Sequence, residues 1–125
     1  MAKGVNKPVK IVKNQPVTVR FRTQAVVAGW WVHLLADRQV IRTWHGVTTD
    51  AAADEAIIPA ADLKTGRSLF WQLALFGSVH AEISYRMEIE FWQNGVKLGA
   101  DRQHGKVPKS KTKGLSGVRR VQVER

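Results

Sequence analysis

The strongest constraint on the fold is the stretch from His80 to Trp92, in which apolar and polar residues alternate. One set of positions is apolar and contains Ala81, Ile83, Tyr85, Met87, Ile89 and Phe91. The intervening positions are mostly polar and contain His80, Glu82, Ser84, Arg86, Glu88, Glu90 and Trp92. A helix would scatter each set around its circumference, whereas a strand places the two sets on opposite faces. The stretch therefore predicts a long strand with one buried and one solvated face.

Further strands are predicted on both sides of this one. In residues 16–22 apolar and polar residues alternate, with Val17, Val19 and Phe21 on one face. Residues 9–13 alternate more weakly and are predicted to form a first edge strand. Residues 30–36 and 39–44 are predicted to form a hairpin around Asp37-Arg38, with a short buried helix as the alternative for 30–36. Residues 69–76 are apolar enough for a central strand. Residues 55–60 form a short strand between loops at 45–54 and 62–67. Asn94-Gly95 favours a tight reversal into a partner strand over 96–100.

Seven or eight short strands without a convincing helix predict an all-β fold. We expect an antiparallel β-sandwich, immunoglobulin-like or jelly-roll-like, with a small barrel as the alternative. Residues 1–100 form the sandwich domain, with residues 1–8 flexible. Residues 101–125 are rich in Lys, Gly and Ser and are interpreted as an extended basic C-terminal arm, in which 118–123 can dock as a strand on its own sheet or on a neighbouring subunit.

The charge is unusual in amount and in distribution. The chain has 125 residues and a net charge of +10. Residues 1–22 carry six basic side chains and no acidic one, and residues 101–125 carry eight basic and two acidic, whereas the middle holds six basic and eight acidic. Basic ends indicate a polyanionic partner, which can be nucleic acid, an anionic membrane face or an acidic protein surface, with simple solubility as the alternative. The predicted polyanion-binding residues are Lys3, Lys7, Lys10, Lys13, Arg102, Lys106, Lys109, Lys111, Lys113, Arg119 and Arg120.

Catalytic and metal-binding patterns are weak. The chain has no cysteine, and its four histidines are 12, 35 and 24 residues apart, unlike the closely spaced ligands of zinc sites. It lacks a Gly-x-Ser-x-Gly nucleophile motif and a phosphate-binding glycine loop. Glu88 and Glu90 share a strand face about 7 Å apart, as acid–base pairs can, but strand-face charges more often form cross-strand ion pairs. We expect no enzyme activity, cofactor or metal.

Five tryptophans at positions 30, 31, 44, 71 and 92 exceed average usage. Trp71 alternates with leucines and is predicted to lie in the core. Trp30 and Trp31 are adjacent in a strand and face opposite ways, so one of them is a candidate for an interface. Trp92 lies on the solvated face of the long strand and is a further interface candidate, since interfaces are enriched in Trp. Trp44 is expected to be covered by its neighbours.

These features predict a non-enzymatic structural or interaction protein. It would be a homo-oligomer that assembles or docks through extended arms and contacts a polyanion through its basic ends, as a virion, phage or injection-apparatus component does. One alternative is a sequence-nonspecific nucleic-acid-binding module, and the other is a carbohydrate-binding module that uses exposed Trp. No signal-peptide pattern and no apolar run near the ~20 residues of a membrane span are present, so we expect no membrane insertion and a cytoplasmic or virion-like location.

Overall fold

The computed structural model of the chain describes residues 7–49 and 53–124. Their regular structure is nine strands and one short 3-10 helix. The strands are β1 (Val9–Val12), β2 (Val17–Gln24), β3 (Val27–Ala36), β4 (Gln39–Thr48), β5 (Asp54–Ile58), β6 (Ser68–Phe76), β7 (Ile83–Gln93), β8 (Val96–Val107) and β9 (Thr112–Glu124). The 3-10 helix, Ala60–Asp62, follows β5. None of the described helices is long and apolar enough to cross a membrane.

The strands form two sheets that pack face to face as a β-sandwich, which confirms the predicted class. One sheet has five strands in the order β1-β9-β6-β3-β4, and the other has four in the order β5-β2-β7-β8. Neighbouring strands are antiparallel except β1 and β9, which run parallel. The apolar strand β6 is the central strand of its sheet, as predicted.

A single hydrophobic core fills the space between the sheets. The inward residues of β7, which are Tyr85, Met87, Ile89 and Phe91, are buried. Val17, Val19 and Phe21 lie on the same side of the neighbouring strand β2 and are also buried. The period-two pattern therefore identified the buried face of both strands. The reversals Asp37-Arg38 and Asn94-Gly95 have positive φ at both positions, from 50° to 73°, as two-residue hairpin turns require.

Two tryptophans connect the sheets, one near each side of the sandwich. The indole nitrogen of Trp30 on β3 donates to Asp54 of β5 over 2.8 Å, and that of Trp71 on β6 donates to Asp101 of β8 over 2.8 Å. Each indole lies over a glycine, Trp30 over Gly46 and Trp71 over Gly117, so closely that a Cβ atom there would be less than 3 Å from the ring. Buried Trp N–H groups therefore find partners across the core.

The C-terminal region differs from the predicted arm. Residue 101 continues β8, which runs to Val107, and residues 112–124 form β9 between β6 and β1. Val107 and Val121 are buried in the common core. The loop predicted from residue 45 also begins later, because β4 continues to Thr48. Residues 1–6, which include Lys3 and most of the segment predicted to be flexible, lie outside the described residues.

Candidate polyanion-binding surface

The predicted basic residues lie in two separate places. Lys106, Lys109, Lys111 and Lys113 surround the connection between β8 and β9. Lys10 lies in β1, which pairs with the opposite end of β9, and Lys13 follows that strand. The thirteen residues of β9 span up to roughly 40 Å between these places, at about 3.3 Å for each step. The two groups therefore do not form one site.

The connection that carries the first group is fixed by backbone hydrogen bonds. The Lys111 N–H donates to the Pro108 carbonyl over 3.1 Å, which closes a turn over 108–111. The Ser110 N–H donates to the Ser78 carbonyl over 2.8 Å, and the Gly77 N–H donates to the Lys111 carbonyl over 3.0 Å. A Cβ atom at Gly77 would lie 2.5 Å from that same carbonyl oxygen, so this approach of two backbones requires glycine. The lysines are therefore held on an ordered turn.

Two of these lysines have no acidic partner among the described residues. Lys109 and Lys111 are exposed and lie in no ion pair. Lys106 faces Glu82 at 3.6 Å, with both side chains largely exposed. The Nζ atom of Lys113 lies 5.4 Å from the centroid of the Tyr85 ring. Positive charge at this turn is therefore little neutralised by the protein itself.

Arginines on the outer face of the four-stranded sheet continue this charge. Arg86 of β7 lies between Gln24 of β2 and His104 of β8, and it has no ion pair among the described residues. The next cross-strand row contains Arg22 and Arg102, whose side chains are 52% and 69% exposed. Arg22 and Arg102 pair through Nε with Glu90 and Glu88, over 3.1 and 2.6 Å, respectively.

Two shallow grooves flank Arg86 on this face. One is lined by Arg22, Gln24, Arg86, Glu88, Arg102 and His104, and the other by Gln24, Ser84, Arg86, His104 and Lys106. We call the set Arg22, Arg86, Arg102, Lys106, Lys109, Lys111 and Lys113 the basic surface. Arg22 and Arg86 were missed from the sequence because their strands alternate normally. Only the strand register shows that they join the C-terminal lysines.

The glutamates behind the basic surface are held in an ion-pair network. Burial by itself raises the pKa of Glu90, but hydrogen bonds from Lys97, Trp92 and Arg22 outweigh burial and hold that pKa below its ordinary value. Lys97 lies 3.1 Å from both Glu88 and Glu90, and hydrogen bonds to Glu90 and Glu88 raise the pKa of Lys97. This is the cross-strand pairing that the sequence favoured for Glu88 and Glu90 over an acid–base pair.

The other predicted basic residues are placed differently. Arg119 is buried, and its guanidinium donates to Asp101 and to the carbonyls of Ala100 and Lys7. Arg119 is therefore a structural residue and not part of the polyanion-binding surface, which corrects the prediction. The sequence could not show this, because the side of β9 on which Arg119 lies depends on how β9 pairs with β6. Arg120 is exposed on the five-stranded sheet, and Lys7 lies just before β1.

The tryptophans divide between core and surface. Trp30 is buried and stacks on Phe21 with ring centroids 4.5 Å apart, and Trp31 is the exposed member of the pair, so Trp31 is the one that remains an interface candidate. Trp92 is half-buried, with the Arg20 guanidinium 5.4 Å from its ring centroid and its N–H directed to Glu90 over 3.3 Å. Trp44 is also half-buried.

The histidines do not gather into a metal site within the described parts of the chain. No group of three or more His, Cys, Asp or Glu there has the geometry to hold a metal ion. His33 contacts Thr43 and Gln72 over 2.9 and 2.8 Å, which satisfies both ring nitrogens.

Comparison of the chain with protein-family models, with curated proteins and with solved structures found no match.

Proposed function

We propose that the chain is a non-enzymatic β-sandwich that binds a polyanion, in the first place nucleic acid, through the basic surface. One observation carries the proposal: seven cationic side chains converge at one end of the sandwich, where three carboxylates pair with some of them. Arg86, Lys109 and Lys111 have no acidic partner among the described residues. Free cations grouped on one surface attract phosphates and release the counterions that surround a nucleic acid.

The chemistry of the surface supports contacts to the phosphate backbone. Arg86 offers a planar fork to a phosphate group, whereas Lys109 and Lys111 act as point charges. The Tyr85 ring is buried beneath Lys113, so the exposed ring on this surface is the His104 imidazole opposite Arg86. A single imidazole offers little area for stacking of unpaired bases, the usual device of single-strand binders. We expect duplex DNA to bind at least as tightly as single-stranded DNA, with little discrimination between sequences.

The ordered C-terminal region changes the mechanism proposed for binding. Because 112–124 pairs with β6 and β1 of its own chain and a hydrogen bond closes the turn over 108–111, Lys109 and Lys111 present their charges from an ordered turn. A fixed surface loses less conformational entropy on binding than a flexible arm does. Assembly by exchange of this segment would first require β9 to leave its sheet, so the proposal does not include self-assembly through the C-terminal region.

Matched charge variants test the proposal. Lys109→Gln/Lys111→Gln removes two charges from the basic surface, and Lys10→Gln/Lys13→Gln removes two from the far group, so the net charges of the variants are equal. Fluorescence anisotropy with a short labelled duplex at low salt should show Kd rising at least about tenfold for the first variant, because two phosphate contacts are lost. The control should change it far less. Equal weakening of both variants, or no binding by the native chain, would contradict the proposal.

A further inference from the structure

The outer face of the five-stranded sheet has an uncharged area that crosses four neighbouring strands. The outward positions in this area are Thr43, His45 and Val47 on β4; Val27, Gly29, Trp31 and His33 on β3; Phe70, Gln72, Ala74 and Phe76 on β6; and Gly114, Ser116 and Val118 on β9. Arg120, opposite Ser68, is the next outward position of β9 and borders the area. We call this set the uncharged face, because it contains no Asp, Glu, Lys or Arg. Several of its apolar side chains are exposed, including Val27, Trp31, Val47 and Phe76. A contiguous exposed apolar surface of this kind is typical of an interaction site.

The uncharged face has both raised side chains and a hollow. A cross-strand row of small residues, Gly29, Ala74 and Gly114, runs across three strands. The rings of Trp31 and Phe76 approach the Gly29 position, at 3.3 and 3.8 Å from a Cβ atom placed there. A Cβ atom at Gly114 would meet nothing nearer than 4.0 Å, and a hollow opens beside it, lined by Trp31, Ala74 and Ser116 among others. The face therefore combines large apolar side chains with a recess, as a self-complementary surface requires.

The charge of the chain favours a second copy as the occupant. At +10, two copies repel each other wherever basic surfaces meet. Within the uncharged face no Lys or Arg of one copy opposes one of the other, and Arg120 lies at its border. An acidic partner would find no cation there to pair with and would bind the basic surface instead.

The area of the face agrees with a modest dimer interface. The set spans seven residues on β3 and β6 and five on β4 and β9, and at about 3.3 Å per residue and about 4.8 Å per strand it covers roughly 400 Å². Two such faces bury roughly 800 Å² in total, which is below the roughly 1,200 Å² of stable complexes and in the range of weak, transient ones. A dimer of this size should dissociate on dilution.

We propose that two copies of the chain associate with their uncharged faces in contact, related by a twofold axis. The part of the basic surface on the four-stranded sheet then lies on the outside of the dimer, where both copies can meet a polyanion. The proposal does not depend on polyanion binding, and salt distinguishes the two. Screening reduces the repulsion between like-charged copies and so favours the dimer, whereas salt weakens phosphate contacts.

Sedimentation equilibrium over a range of protein concentrations tests this, at low and at high NaCl. Val47→Lys and Ser116→Lys place a cation on the uncharged face at exposed positions. Ile57→Lys is the matched control, since Ile57 is 59% exposed on an edge strand of the other sheet and Val47 is 58% exposed on an edge strand of this one. Each variant is first compared with the native chain by thermal melting.

The native chain should show a monomer–dimer equilibrium that shifts towards dimer at high salt. Each uncharged-face variant should raise the dissociation constant at least about tenfold, because a twofold axis brings in the new charge twice. Ile57→Lys should leave the constant unchanged. A native chain that stays monomeric at high concentration and high salt would overturn the proposal. So would folded Val47→Lys and Ser116→Lys variants that dimerise like the native chain, or a control that is equally weakened.

Discussion

Replacing Arg119 by Ala should destabilise the fold much more than replacing its neighbour Arg120. The Arg119 guanidinium makes a two-pronged contact with Asp101, with Nη2 to Oδ1 at 2.6 Å and Nε to Oδ1 at 3.1 Å. It also donates to the carbonyls of Ala100 and Lys7 at 2.9 and 2.8 Å. Through Asp101 it orients the acceptor of the Trp71 indole. One side chain thus joins β9, β8 and the segment before β1.

The magnitude follows from what the substitution leaves behind. Removal of Arg119 leaves the Asp101 carboxylate, only 12% exposed, with the Trp71 N–H as its remaining donor in the network. Breaking such a pair by removing one partner typically costs about 3–5 kcal/mol, because an uncompensated charge stays buried. Arg120, the next residue in the chain, is exposed, so Arg120→Ala should change the free energy of unfolding by about 0.5 kcal/mol or less.

Urea denaturation at neutral pH, followed by tryptophan fluorescence, measures both variants. The double variant Arg119→Ala/Asp101→Ala should be less destabilised than the sum of the two single ones, since removing both charges leaves neither unpaired. If Arg119→Ala and Arg120→Ala cost the same, or if the double variant equals the sum, the network does not stabilise the fold as described.

Two further predictions concern packing and pH. Gly117→Ala should lower the free energy of unfolding by about 1–3 kcal/mol, because its Cβ would lie 2.6 Å from Trp71 ring atoms. In the control Gly114→Ala the new Cβ meets nothing nearer than 4.0 Å, so this change should be tolerated. Equal melting temperatures for the two variants would refute the packing. Because the pKa of Glu90 is lowered in the folded state, its carboxylate stabilises the fold at pH values above its ordinary pKa of 4.5. This contribution is lost as the pH falls through the folded-state pKa. The free energy of unfolding should therefore fall less steeply with decreasing pH in Glu90→Gln than in the native chain. Parallel acid profiles would remove Glu90 from the network.

The strands that could be predicted are those in which period-two alternation is strong. In β7 every inward position from Tyr85 to Phe91 is apolar, so the sequence alone shows which face is buried. In β8 and β9 few inward positions carry large apolar groups, and Val107 and Val121 are the buried ones. In the sequence, Gly117 is one of the glycines that favoured a flexible arm over 101–125. In the structure, its lack of a side chain leaves space for the indole of Trp71. A local pattern cannot show this, because the partner is more than forty residues away.

The candidate surface depends on register in the same way. Arg86 belongs to an alternating strand, and nothing in its neighbourhood in the sequence distinguishes it from an ion-paired surface residue. Pairing with β8 places His104 opposite it, and that register includes a bulge between Phe91 and Trp92 that composition does not specify. The exposed lysines could be predicted as basic, but which of them lie together depends on where β9 docks.

The salt dependence of duplex DNA binding tests the central claim most directly. Four to six phosphate contacts by the basic surface predict a slope of log K against log salt of roughly −3.5 to −5.5. Replacing Lys106, Lys109, Lys111 and Lys113 by Gln should make the slope shallower by up to roughly 3.6, at about 0.9 per contact, with the fold retained in thermal melting. A native slope near zero, or a slope unchanged in the folded variant, would contradict the claim that this surface binds a polyanion.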